Sequence, residues 1–140
     1  MSGNYTQLYI HIIWATWDRL PLIKSEFEER VYQAIAEKCR GLGCEMLAIG
    51  GIEDHIHLLV RFVPTISIAE LVKAVKGSSS HLISNEISPG EFFRWQSGYS
   101  AFTLRKDDGK TVAAYILNQK QHHLENNLNH AWEPTSQQDD

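Results

Sequence analysis

Two histidines separated by one apolar residue lie in the run Asp54-His55-Ile56-His57-Leu58-Leu59-Val60. On a β-strand, alternate side chains point to opposite faces, so both imidazoles share one face while Ile56, Leu58 and Val60 share the other. Two imidazoles on one rigid strand can grip a single cation, and imidazole is a common metal ligand. Two half-exposed edge histidines would give the same H-x-H pair. The apolar residues that follow instead suggest an interior strand, where polar groups without a partner are costly to bury. Further along, in Val112-Ala113-Ala114-Tyr115-Ile116-Leu117-Asn118-Gln119, Tyr115 and Gln119 are four apart and stack on one face of a helix. Ordinary packing would account for a tyrosine beside Ala113 and Ala114. As a nucleophile it would need help, because a phenol titrates near about 10. A divalent cation on a scissile phosphate would offset the negative charge that builds up during attack. Gln119 could add an oxygen ligand, and two imidazoles with one neutral amide would leave positions open for the phosphate.

Such chemistry needs rigid elements beneath it. Residues 5–16 alternate Leu8, Ile10, Ile12 and Trp14 with Tyr9, His11 and Ile13; a strand apolar on much of both faces reads as central. Residues 18–21 break it. Residues 25–41 predict a helix, with Ser25 and Glu28 as a capping box, Phe27, Val31, Ala34, Ile35 and Lys38 at helical spacing, and Gly41 and Gly43 at its end. Residues 44–51 and 55–63 predict two strands joined by a tight turn over residues 50–54 and closed by Pro64. Residues 67–85 predict a second helix, capped by Ser67 with Glu70 three residues on, and striped by Ile68, Leu71, Val72, Val75, Ser79 and Leu82. Residues 92–104 predict a last strand or a pair of short strands, and residues 108–124 a third helix. The order β-α-β-β-α-β plus a final helix is an α+β, ferredoxin-like (split βαβ) plan. It predicts an antiparallel sheet with two helices on one face, the other face left for a site, and a C-terminal helix bearing Tyr115. Residues 1–132 read as one domain, and residues 133–140 as a polar, acidic, disordered tail.

Composition sets the limits. The chain has 140 residues and is 43% hydrophobic, enough for one core without disulfides. Cys39 and Cys44 are too few for a disulfide framework or a four-cysteine zinc site and read as packing residues. No basic segment followed by an apolar run opens the chain, so no signal peptide is expected, and no apolar stretch is long enough for a membrane span. The expectation is a soluble cytoplasmic protein. A net charge of −4 alone argues against a nucleic-acid partner. The charges are unevenly spread, however: residues 1–60 carry −3, residues 61–120 carry +3 and residues 121–140 carry −4. The basic excess coincides with the motif-bearing middle, as a phosphate-facing surface would, although scattered solvated charge gives the same count.

His55-Ile56-His57, with its apolar middle residue, resembles the HUH motif of single-strand DNA nucleases. A single tyrosine on a downstream helix, followed one turn later by Gln119, resembles the Y1 transposases of the insertion-sequence 200/605 family, including the relatives that act on repetitive palindromic elements. Gly98-Tyr99-Ser100-Ala101-Phe102 and the helix over residues 70–80, with Lys76-Gly77-Ser78-Ser79, are similar to that family as well. The likeness spans roughly residues 5–124. H-x-H alone is weak; joined to the lysine-bearing helix and Y-x-x-x-Q in this element order, it is specific. The resemblance implies a DNA transposase in which Tyr115 attacks a phosphodiester of single-stranded DNA. A 5′-phosphotyrosine link forms, a 3′-hydroxyl leaves, and a second 3′-hydroxyl later reverses the step. It also implies Mg²⁺ or Mn²⁺ at His55, His57 and Gln119, hairpin-marked DNA ends as partner, and a homodimer.

Other residues carry weaker expectations. His11, on a neighbouring strand, and His122, three residues after Gln119, could support the metal ligands, and His123 shares that possibility. Lys73, Lys76, Arg94 and Arg105 are candidates for phosphate contacts, although each taken singly is more often a solvated charge. Trp95 and Tyr99 could stack on unpaired bases or pack in the core. Asp54 reads as a turn-shaping residue. Two other functions remain open: a hairpin-binding protein of the same fold that does not cut, and a zinc hydrolase in which water attacks. The second needs a third protein ligand of the His, Asp, Glu or Cys type, which the motif does not supply.

Overall fold

Along the chain of the computed structural model, which describes residues 3–124 and Glu133, the elements are β1 (Leu8–Ala15), α1 (Glu28–Gly41), β2 (Glu45–Ile52), β3 (His55–Phe62), α2 (Ile68–Leu82), β4 (Ser100–Leu104), α3 (Gly109–Leu117) and α4 (Gln119–Leu124). The strands form one antiparallel sheet in the order β2-β3-β1-β4, the ferredoxin-like plan. The two richest apolar runs, β1 and β3, take the centre, where both faces are covered. Their register sets Ile13 opposite His57 and His11 opposite Leu59. On the other side of β1, Phe102 pairs with His11. A β-bulge between Met46 and Ala48 shifts β2 so that Gly50 falls opposite His57.

Alternation divides the sheet. Ile10, Ile12, Trp14, Ile56, Leu58 and Val60 face α1 and α2, joining Val31, Ile35, Cys39, Leu71, Val72 and Val75 in the main core. The opposite face carries His11, His55, His57 and Leu59. There α3 packs Val112 and Ile116 on Ala48 and Leu59 in a second, smaller cluster. Gly50 permits this approach: a Cβ there would stand 2.2 Å from the Ile116 carbonyl oxygen, so no side chain fits between strand and helix. The glycine read from sequence as part of a turn is thus a strand residue under the tyrosine helix. Both cysteines are free and buried.

Local signals held in some places and yielded in others. Ser67 and Glu70 form the expected capping box, the Glu70 N–H donating to Ser67 Oγ at 3.0 Å and the Ser67 N–H to Glu70 Oε1 at 2.8 Å. Ser25 does not cap α1. The helix starts at Glu28 behind the buried Phe27, and the Ser25 hydroxyl donates to Glu26 Oε1 instead. Burial of Phe27 decides where that helix begins. α2 ends at Leu82 and passes into a wider π turn over Ile83–Ile87. Of residues 92–104 only Ser100–Leu104 is strand, with Trp95 bridged singly to Thr16. The expected helix over residues 108–124 is two helices. They break at Asn118 (φ −103°, ψ 24°), whose side-chain amide donates to the Ala114 carbonyl at 2.8 Å and so competes with helix continuation.

Candidate active site

β3 delivers His55 and His57 to the face beneath α3 and α4, with relative exposures of 1% and 0%. Tyr115, on α3, meets the His57 ring edge-on with centroids 5.9 Å apart. One chain therefore brings both elements together. Gln119 opens α4 and is buried; its Oε1 lies 3.2 Å from His55 Nε2. Lys120 beside it ties α4 down, donating to Glu28 Oε2 at 2.5 Å and to the Gly51 carbonyl at 3.1 Å.

A fourth group completes the centre. Glu133 Oε1 is 3.3 Å from His55 Nε2 and 3.2 Å from His57 Nε2, while Oε2 accepts from Gln119 Nε2 at 3.0 Å and from the Tyr115 hydroxyl. Burial raises this carboxyl's pKa, but hydrogen bonds from His55 and His57 outweigh it and hold the group well below the usual carboxylate range. The rest of the segment read as a disordered tail lies outside the described residues. No catalytic motif in the sequence marks Glu133. The one local sign is Trp132-Glu133-Pro134, a large apolar residue and a proline within a polar stretch.

Both histidines are held from behind. Asp54 Oδ1 lies 2.8 Å from His55 Nδ1, with Arg19 Nη2 3.5 Å from each of them. Asp18 and Arg19 both adopt left-handed backbone (φ 52° and 53°), a conformation uncommon for such residues, and it aims the guanidinium at this pair. Asp54 thus orients a histidine as well as ending the hairpin. Burial lowers the His55 pKa, yet the Asp54 and Glu133 hydrogen bonds more than offset it and leave it raised. His57 Nδ1 lies 2.9 Å from His11 Nε2. Burial lowers the His57 pKa, and burial followed by the neighbouring His57 takes His11 down to about 3, so the pair is neutral.

His55, His57 and Glu133 present one ligand atom each within 4.8 Å of one another. The donor chemistry fits a divalent cation: two Nε2 atoms and a carboxylate, the two-histidine-one-carboxylate set that leaves open positions, with an amide oxygen adjoining. Against Glu133 alone, His57 carries its proton on Nε2 and accepts from His11. Once a cation takes Nε2, the proton sits on Nδ1 and His11 Nε2 becomes the acceptor. His11 therefore serves either state.

The remaining sequence candidates separate by position. His122 does not reach the ligand cluster: its ring stacks on Tyr115, centroids 4.7 Å apart at 25°. His123 faces the cluster instead, its Nε2 3.2 Å from Gln119 Oε1. Lys76 turns inward and donates to the carbonyls of Gln96 and Gly98 at 2.8 and 2.7 Å, fixing the approach to β4. Lys73 is exposed on α2. Arg94 lies over the Trp17 ring, 4.3 Å from its centroid, and Arg105 pairs with Asp108 at 3.2 Å. Trp95 belongs to the core, donating to Ser79 Oγ at 3.1 Å, whereas Tyr99 is 41% exposed.

A ferredoxin-like sheet with an H-x-H strand and a tyrosine helix docked over it defines a class, and the relatives bear on which. Residues 4–119 match the family Transposase IS200 like. The ISDra2 transposase TnpA of Deinococcus radiodurans is 25% identical over 124 residues, covering 84% of this chain and 87% of that protein. The transposase for insertion sequence element IS200 of Salmonella typhimurium is 26% identical over 114 residues, 78% of this chain and 74% of that one. Two solved structures share the fold. A crystal structure assigned as a transposase from Deinococcus radiodurans R1 aligns with a TM-score of 0.62 at 24% identity, over 91% of this chain and 95% of its own. A REP-associated tyrosine transposase bound to a REP hairpin aligns at 0.64 with 13% identity, over 91% and 74%. The chain belongs to the IS200-like transposase family. Among the described residues no helix is long and apolar enough to cross a membrane.

Proposed function

We propose that this chain cuts and rejoins single-stranded DNA through a covalent 5′-phosphotyrosine at Tyr115. One observation carries the reading: the Tyr115 hydroxyl converges with His55, His57 and Gln119 on the same point, marked by the Glu133 carboxylate. Tyr115 Oη attacks the phosphorus, the P–O3′ bond breaks, the phenol gives up its proton and the departing 3′-oxygen takes one up. A 3′-hydroxyl of a second strand reverses the step, so no external energy is needed. His55, His57 and Glu133 would hold Mg²⁺ or Mn²⁺, with the Gln119 oxygen adjoining. When bound, the cation offsets charge on the scissile phosphate and leaves coordination positions for its oxygens. The edge-on His57 ring and the stacked His122 ring fix the phenol's direction. The hairpin carried by the REP-associated relative supports hairpin-marked ends as the substrate. A homodimer, in which one chain's tyrosine helix could complete its partner's histidine site, belongs to the same reading.

Glu133 also favours a second reading. It is the third protein ligand that a zinc hydrolase needs, and the motif alone lacked it. The phenol among the ligands favours tyrosine chemistry, because attack by metal-bound water has no use for it.

The test incubates purified protein with Mg²⁺ and single-stranded oligonucleotides from the DNA flanking its own gene, followed by a denaturing protein gel. A shifted, nuclease-sensitive band that Tyr115→Phe abolishes is expected, with hairpin binding retained in the variant. Metal-dependent cutting with no adduct would establish hydrolysis by water. Hairpin binding with neither outcome would establish a non-cutting binder.

A further inference from the structure

Half of the active-site face is not covered by the tyrosine helix. α3 lies over β2 and β3, leaving the edge strand β4 only partly covered beside the buried β1. A cavity of about 260 Å³ occupies that space, lined by His11, Phe102, Thr103, Leu104, Asp108, Thr111 and Val112. Its volume falls just below the range of about 300–1,000 Å³ found for drug-sized pockets, which suits one small planar group. Its position is informative: His11, one of its walls, is also the group 2.9 Å behind the metal-facing His57. Two imidazoles, His11 and then His57, therefore separate the cavity from the ligand cluster. Phe102 is half-buried, its ring centroid 6.2 Å from that of His11, so an aromatic surface lines the floor. Thr103 and Thr111 are exposed at the rim. Asp108, also at the rim, is fixed by Arg105 at 3.2 Å, and that hydrogen bond lowers its pKa, keeping it an acceptor.

We propose that this cavity takes one nucleobase of the bound strand, near the scissile phosphate on the far side of the His57–His11 pair, and favours a base with an exocyclic amine. The inference rests on the DNA-cutting reading above for what the neighbouring site holds. Enzymes acting on nucleic acid read an extruded base by stacking it on apolar side chains and hydrogen-bonding its edge. Here Phe102 and Leu104 supply the stacking surface and Val112 closes the side. Asp108 accepts from an amine on adenine, cytosine or guanine. Thymine offers two carbonyl oxygens and a single N–H, a poor match for a carboxylate. This pocket would add base preference near the cut, independent of any hairpin contact.

The test uses Tyr115→Phe full-length protein in Mg²⁺ with the oligonucleotide that gives the adduct, read by fluorescence anisotropy. Removing the base at one position flanking the cut is expected to weaken binding about tenfold, as loss of one stacked base does. Thymine at that position should cost as much. Thr111→Phe, which fills the cavity from an exposed site, should bind the intact and abasic strands equally while keeping the parent's melting temperature; Phe102→Ala checks the floor in the same way. Equal affinity for intact and abasic strands at every flanking position, or an undiminished loss in Thr111→Phe, would overturn the pocket while leaving the tyrosine chemistry standing. If no strand gives an adduct, the cutting reading fails first, and the cavity is judged by amide NMR shifts with dAMP, dCMP and TMP. Shifts at Thr103, Leu104 and Thr111 with dAMP and dCMP but not TMP uphold a base site; none with any of the three overturns it.

Discussion

The two faces of the sheet are built from alternate residues of the same strands and do opposite things. Toward α1 and α2, Ile56, Leu58 and Val60 meet a continuous apolar core. Toward α3 and α4, His55 and His57 are as deeply buried, yet each is held by a polar partner, Asp54 or His11. Burial on the first face is favourable by itself. On the second it is tolerable only because each ring nitrogen is engaged or aimed at the ligand cluster. Equal exposure therefore does not mean equal role: one face stabilises, and the other holds donors in place for a reaction.

Neighbours on β3 can break that comparison. Leu58→Ala should cost about 2–5 kcal/mol of stability by denaturant unfolding, with activity per folded molecule unchanged. His57→Ala should abolish Mg²⁺-dependent cutting while the melting temperature stays far closer to that of the parent than in Leu58→Ala. Equal stability losses would show that both faces are simply core. Next in size is Gly50→Ala, which forces α3 off the strand. A misplacement of about 1 Å can cost about 100-fold in rate, so adduct formation should fall by that order with little change in the far-ultraviolet spectrum. An unaffected rate would mean the helix does not act from this docked position. The smallest expected effect sharpens the ligand assignment. Glu133→Ala should weaken Mn²⁺ binding about tenfold or more by isothermal titration calorimetry. Unchanged affinity would leave Glu133 a hydrogen-bond partner of Tyr115, Gln119 and the two histidines rather than a ligand.

What was legible in the sequence followed from local rules. Strand alternation placed His55 and His57 together, helix spacing placed Tyr115 near Gln119, and element order gave the sheet. What was not legible depended on tertiary geometry. Helical spacing from Gln119 allows either His122 or His123 on its face; within α4 it is His123 that meets Gln119, while His122 stacks on Tyr115. Lys76 advertised a charge without revealing the carbonyls that engage it. Gly50 carried the same letter whether it turned the chain or cleared space for a helix. Glu133 arrives from far along the chain with no periodic pattern to announce it.

The Asn118 break has a mechanical consequence. Tyr115 rides on the segment seated at Gly50, while Gln119 and His123 ride on a separate short lever tethered by Lys120. His122 on that lever is stacked on the phenol, so any tilt that reseats Gln119 and His123 is felt at Tyr115 as well.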